Sequence, residues 1–393
     1  MNTKVVITPR ERVNLALEHK TPDRTPVDFL AVPEIWEGLI KRSSVQIRKN
    51  GTNSYFDAVW EQLLRKFQVD CRVVSYDQFC SPPASVLIPD AKIDWYGALS
   101  RSTPNRMWRQ LTPDGQIYDI WGRHFKIVDN PSGSYEELAS FPLNSFSTIS
   151  EIKNFAWPEP DWWDFSGVTD LLNLLGEDNQ YHIRYRIGSV FEAAWQLREM
   201  VTFFEDLATN PSIPAYIMER LTDIYVEITH RFLSEAGERI DMVYFYDDVA
   251  TQNSLMISKK MWEKYIKPCH ARIIEVAKKH NKKVMYHCDG AIHPLIPELI
   301  DMGIDVLNPV QADAKDMEPN KLKAEFGDLL SFHGGIDIIK TLPTGTPEDV
   351  QNEVKARIKQ LGSNGGYVMA SSHHIQADTP LENVEAMYDL SIR

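Results

Sequence analysis

The stretch KVMYHCDGAIHPLIPELIDMGIDVLNPV, residues 283–310, divides into a short apolar run, a helical segment and a second short apolar run. KVMYHC (283–288) and DVLNPV (305–310) have the length of buried strands, and HPLIPELIDMG (293–303) between them has the pattern of a helix. Strand, helix, strand in that order predicts a parallel pair joined by a crossover.

The unit repeats outward in both directions. Further strands are expected at HIRYRIG (182–188), DMVYFY (241–246), LLSFHG (329–334) and YVMAS (367–371), with helices at 191–207, 214–236, 257–280, 347–362 and 380–392. Nearer the N-terminus, Thr8-Pro9-Arg10-Glu11 combines a capping residue, a proline at the first helical position and a Glu three residues after the cap, so a helix should begin at Pro9 and run to about His19. PVDFLA (26–31) and CRVVSY (71–76) add two strands around an amphipathic segment at 53–67. Closure of these strands into a (β/α)8 TIM-type barrel, one domain over 1–393, is the economical α/β arrangement. Residues 80–130 break the rhythm with alternating segments cut by Pro and Asp-Gly, the signature of a β-hairpin insertion. WPEPDWWDF (157–165) is expected to be a loop packed on the surface or over a pocket, and the aromatic residues around it belong more naturally to core than to a ligand platform. No G-x-G-x-x-G follows a strand and no G-x-x-x-x-G-K-[ST] occurs, which removes the main support for a doubly wound nucleotide-binding sheet.

A net charge of −13 argues against nucleic acid or an anionic membrane as partner. No window approaches the ~18 apolar residues of a membrane span, no apolar leader precedes the first helix, and the four cysteines show no C-x-x-C spacing. A soluble cytoplasmic protein is the expectation.

In TIM-type barrels the reactive groups stand at the C-terminal ends of the strands. Those ends here carry Asp28, Tyr76-Asp77, Arg186, Tyr246-Asp247-Asp248, His287-Cys288-Asp289, Asn308 with Gln311, His333 and Ser372-His373-His374. Side chains alternate along a strand, so His287 and Asp289 should point one way and Cys288 the other. One nitrogen and one oxygen on the same face suit a divalent ion or an acid–base pair, and His374 or His373 can supply a third donor. The metal set is thus His287, Asp289 and His374, on a catalytic Zn²⁺. The catalytic set is His287, Asp289, Asp248 and His333, and Asn308, Gln311 and Tyr246 are candidates for cofactor contact. The plainer alternative is a polar mouth in which His287 only hydrogen-bonds a carboxylate. Cys288 is expected to be a buried small hydrophobe, Asp247-Asp248 could cap a helix, and His270 and His280 are expected on the surface or in packing.

TPRERVNLALEHKTPDRTPVDF (8–29), YFYDDVATQNSLMISKKMWEKYIKP (244–268), KVMYHCDGAI (283–292), LSFHGGIDIIKTLPTGTPEDV (330–350) and GGYVMASSHHIQADTPLENVEAMY (365–388) together resemble the uroporphyrinogen decarboxylase superfamily, and within it the cobalamin-dependent methyltransferase and O-demethylase branch. The resemblance implies a distorted (β/α)8 barrel. It also implies methyl transfer from a small, O-methylated donor to cobalamin carried by a partner corrinoid protein, in a monomer or homodimer. That branch resembles H-x-C-G around residue 287, with zinc on the His and Cys and on a later Cys. This chain keeps His287 and Gly290, has Asp289 in place of the Cys, and has His373-His374 near the late ligand. Uroporphyrinogen decarboxylases resemble one another in an Arg-rich segment after the first strand. DFLAVPEIWEGLIK (28–41) has none, which argues against a substrate with eight carboxylates. Decarboxylation of a small acid, with Asp248 or His287 as proton donor, is the second expectation, and a noncatalytic barrel binding a corrinoid or small ligand the third.

Overall fold

The computed structural model describes residues 7–43, 58–96, 107–130, 133–175 and 180–392. Its twelve strands are β1 (Cys71–Ser75), β2 (Lys92–Tyr96), β3 (Met107–Leu111), β4 (Ile117–Tyr118), β5 (His124–Asn130), β6 (Gly133–Ser140), β7 (His182–Arg186), β8 (Met242–Tyr246), β9 (Lys283–His287), β10 (Val306–Val310), β11 (Ser331–Ile336) and β12 (Tyr367–Ser371). Seven of them form one parallel sheet in the order β1-β7-β8-β9-β10-β11-β12, and β2 to β6 form a separate antiparallel sheet. This is the α/β TIM-type fold with a hairpin insertion. The insertion runs on to Ser140, ten residues past the expected 130, because β5 and β6 pair along their whole length.

The expected strand at 26–31 is present only as bridges, Val27 beside Met369 and Ala31 beside Ile375. Asp28 N–H donates to the Met369 carbonyl and Asp70 N–H to the Val27 carbonyl, each at 2.9 Å, so these residues still join β12 to the start of β1. The prolines at 26 and 33 explain the brevity: each removes a ladder donor, and a helix Pro33–Arg42, not anticipated from the sequence, starts at the second.

Two other helices differ from expectation. The segment 191–207 is two helices, Phe191–Arg198 and Met200–Thr209, separated by Glu199 at φ 76°, whose carboxylate caps the second by accepting from Val201 and Thr202 N–H. The segment 257–280 contains a π turn, Trp262–Ile266, just before Pro268, which has no N–H to continue an α ladder. No helix among the described residues is long and apolar enough to cross a membrane.

The first helix, Pro9–Leu17, has the predicted capping box at Thr8 and Glu11. It closes the N-terminal end of the barrel: Val13 and Leu17 pack on inward-facing Cys71, Met242, Met285, Val306 and Val368. Burial of each aliphatic side chain there contributes about 1.5–3 kcal/mol. Above that apolar layer the inner wall turns polar, with Asp28, Arg184, Asn308 and His333 all buried. Buried polar groups demand partners, and the ones they find define the site.

Candidate functional site

β9 ends at His287, and the chain then turns sharply at Gly290, φ 84°. A Cβ on Gly290 would lie 2.4 Å from the Thr251 carbonyl oxygen, so only glycine permits this close passage. Its N–H donates to Gln311 Oε1 at 2.8 Å, and Gln311 Nε2 donates to Gln252 at 3.0 Å. Gln311, a candidate for cofactor contact, thus holds the turn that presents the site. Cys288 is fully buried on the opposite face, beside the Val249 N–H, and burial raises its thiol pKa well above the ordinary range.

His287 and Asp289 share the mouth face, with Nε2 and Oδ1 3.8 Å apart. His373 completes the group, its Nε2 3.8 Å from Asp289 Oδ2, and the three donor atoms lie within 4.8 Å of one another. The structure therefore brings in His373 where the sequence analysis placed His374. The reason is local: β12 ends at Ser371 and the chain bends through 372 and 373, so strand alternation no longer decides which imidazole faces Asp289. His374 sits behind, ring centroid 4.9 Å from that of His373, with Nε2 buried and unpartnered. Burial, reinforced by His373, Arg186 and His287, keeps His374 neutral.

Separations of 3.8 Å are too long for hydrogen bonds but near the edge of a coordination tetrahedron, where ligands ~2.05 Å from an ion stand about 3.3 Å apart. Asp289 Oδ1 is buried without a partner, a costly state for a carboxylate oxygen unless a cation completes it. Two imidazoles and a carboxylate with partial exposure, 12% for His287, 36% for Asp289 and 39% for His373, are a donor set that fits Zn²⁺ with an open position.

The neighbouring residues divide into those that support the fold and those that line the mouth. Asp247 is fully buried; its carboxylate accepts from the N–H groups of Val190, Phe191 and Glu192 at 3.2, 2.8 and 2.7 Å, capping the helix Phe191–Arg198, and from His270 at 2.7 Å. Asp248 instead turns to the site and accepts from Asp289 N–H at 2.8 Å. Burial, together with Asp289, raises the Asp248 pKa although His287 opposes it. Tyr246 is half-buried near Arg186, Glu192 and Asp77, and burial pushes its hydroxyl up to about 12. Asn308 and His333 do not reach the mouth. His287 Nδ1 lies 2.6 Å from Asn308 Oδ1, Asn308 Nδ2 lies 2.6 Å from His333 Nδ1, and His333 Nε2 lies 2.9 Å from Asp28 Oδ2, which also pairs with Arg184.

Glu192 was not singled out from sequence. Burial, followed by repulsion from Asp248 and Asp247, pushes its pKa up to about 8. Gln196 donates to its Oε1 at 2.7 Å, and Arg123, carried in by the hairpin insertion and paired with Asp119, donates to Gln196. Trp121 of the same insertion is buried edge-on against Tyr225, with ring centroids 5.7 Å apart, so the second sheet is fastened to the barrel beside Glu192. An aromatic-walled cleft of about 190 Å³, between Trp108, Tyr118, Phe155 and Trp162, lies in the insertion and under the Trp-rich loop, apart from the ligand triad.

The raised Glu192 pKa has a definite sign. An ordinary glutamate ionises near 4.5, so between that value and about 8 the folded chain holds a proton that the unfolded chain has lost. The stabilisation is complete below the lower value and is lost as pH rises through the upper one. Urea midpoints should therefore fall from pH 5 to pH 8 in the wild type and fall less in Glu192→Gln; equal slopes would show that Glu192 does not carry this proton.

Comparison with known proteins adds an independent line. The sequence profile of the family described as uroporphyrinogen decarboxylase (URO-D) matches residues 140–392. A methylated-thiol–coenzyme M methyltransferase of Methanosarcina mazei is 27% identical over 181 residues, 43% of this chain and 46% of that protein, so the match spans about half the length of the relative. The solved structure of a methyltransferase from Methanosarcina mazei superposes with a TM-score of 0.63 over 97% of both chains at 16% identity, a likeness of fold.

Proposed function

The chain belongs to the uroporphyrinogen decarboxylase (URO-D) family, and on that premise we propose that it is a methyltransferase that moves a methyl group from a small O-methylated compound to the cobalamin of a partner corrinoid protein. The relative named as a methyltransferase supports the reaction class. The observation that carries the reading is the triad of His287, Asp289 and His373 at the barrel mouth, with Asp248 at its side and Glu192, near Asp248, an acid that keeps its proton at neutral pH.

These three residues would hold a divalent ion, zinc by donor type, which would polarise the oxygen bonded to the methyl group. Glu192 supplies the proton. Glu192 would protonate the oxygen that keeps the electron pair of the breaking carbon–oxygen bond, and a reduced corrinoid, when bound, would supply the nucleophile that takes the methyl group. Asp248 fixes Asp289 through the backbone N–H. Substitution of Asp289 for a thiolate makes the site harder, which suits an oxygen leaving group better than a thiol.

Decarboxylation of a polycarboxylated tetrapyrrole does not suit this chain. The helix Pro33–Arg42 bears Glu34 and Glu37, and its Arg42 is paired outward with Glu382 and Glu385 at 3.3 Å, leaving no arginine clamp there.

The test is direct. Protein purified without an affinity tag should retain close to one zinc per chain and should convert free cob(I)alamin to methylcobalamin with at least one member of a panel of methoxylated aromatic and aliphatic compounds, followed by visible absorbance. No methyl transfer with any donor and no bound metal would overturn the proposal; carbon dioxide release from a small acid without corrinoid would replace it with a lyase.

A further inference from the structure

Hydrogen-bond polarity along the inner wall has one consistent solution. Asp28 is buried against Arg184; burial alone would raise its pKa, but Arg184 and His333 hold it far below the usual carboxylate range, so its oxygens only accept. His333 Nε2 at 2.9 Å must then carry a hydrogen. His333 is itself buried, and burial lowers its pKa with Arg184 opposing a second proton, so its Nδ1 is an acceptor. Asn308 therefore turns its NH2 to His333 and its carbonyl oxygen to His287, each at 2.6 Å. An acceptor at that distance requires a hydrogen on His287 Nδ1. The flipped amide would demand a doubly protonated His333 with Arg184 Nη1 3.3 Å away, which burial and like charge disfavour.

We propose that Asp28, His333 and Asn308 form a positioning relay that fixes His287 in the Nδ1–H form and so aims the Nε2 lone pair at the site shared with Asp289 and His373. The inference rests on the metal reading above for its function, but not for its geometry. A carboxamide accepts on one side and donates on the other, which suits an asparagine to position 308 between two imidazoles. His287 would otherwise revert toward the Nε2–H form that an imidazole side chain prefers in water, and that hydrogen would occupy the ligand position. Loss of such outer hydrogen bonds typically weakens metal affinity about 10–100-fold.

The experiment uses full-length protein labelled with 15N-histidine, read by imidazole nitrogen shifts in the metal-free state, alongside Zn²⁺ affinity by chelator competition. In wild type, His287 should show a protonated Nδ1 and a bare Nε2. Asn308→Leu should shift His287 toward Nε2–H and weaken Zn²⁺ binding roughly 10–100-fold. Asp28→Ala, which removes the acceptor for His333 without touching His287, should shift the same signals; it carries the comparison if Asn308→Leu does not fold. A wild-type His287 with Nε2–H, or unchanged shifts and affinity in a folded variant, overturns the relay. If the wild-type form is as expected but Zn²⁺ does not bind, the metal reading fails and the relay stands.

Discussion

His287→Ala is expected to strip the metal from the protein and to lower methyl transfer about a thousand-fold, the equivalent of roughly 4 kcal/mol of transition-state stabilisation. The imidazole is the donor that the inner wall supports most firmly, through Asn308 at 2.6 Å, and its loss leaves Asp289 and His373 as a two-ligand site on partly exposed arms. Two donors hold zinc far less tightly than three. His373→Ala should act in the same direction. His374→Ala should leave metal content near the wild-type value, because His374 is not among the donors that come together at the mouth. Metal analysis of the three variants, with their turnover, separates the readings: full metal occupancy in His287→Ala, or loss confined to His374→Ala, would show that the triad is not the site.

Asp247→Ala should be the most destabilising single change in the region, at about 3–5 kcal/mol, while Asp248→Asn, one residue on, should cost little stability. The two carboxylates are adjacent in sequence but face opposite ways. Asp247 is fully enclosed and satisfies three backbone N–H groups and His270. Its removal strands four buried donors where water cannot reach them. Against a total stability of roughly 5–15 kcal/mol that is a large fraction, and the melting temperature should drop by roughly 10 °C. Asparagine at 248 can still accept from Asp289 N–H, so the melt should stay within about 2 °C. Thermal melts of both variants decide the point; comparable shifts would mean that both aspartates serve the fold.

Much of the architecture was legible because strand and helix periods differ so clearly in this chain. All the parallel strands from β1 to β12 lie where apolar runs were recognised, and the shared face of His287 and Asp289 follows from a period of two residues. What alternation could not supply was anything depending on register between strands or on the path after a strand ends. His373 faces Asp289 because of a bend at 372 and 373, which no pattern announces. Asn308 and His333 stood at strand ends like any mouth residue, and only the pairing of β9, β10 and β11 side by side turns them toward His287 and Asp28. Asp247 was rightly suspected of capping, but the helix it caps follows β7, not β8, since the two strands are neighbours in the sheet. Glu192 had a signal that went unused: an acid in the first turn after the loop that leaves Arg186.

The plug made by Val13 and Leu17 dictates which way round a bound donor must lie. With the barrel blind at that end, nothing can approach from the floor, and backside displacement at carbon needs nucleophile and departing atom on opposite sides. If the proposed methyl transfer holds, the departing oxygen would rest inward on the imidazoles and carboxylate, and the methyl carbon would look out toward the rim, where a methyl acceptor could meet it without entering.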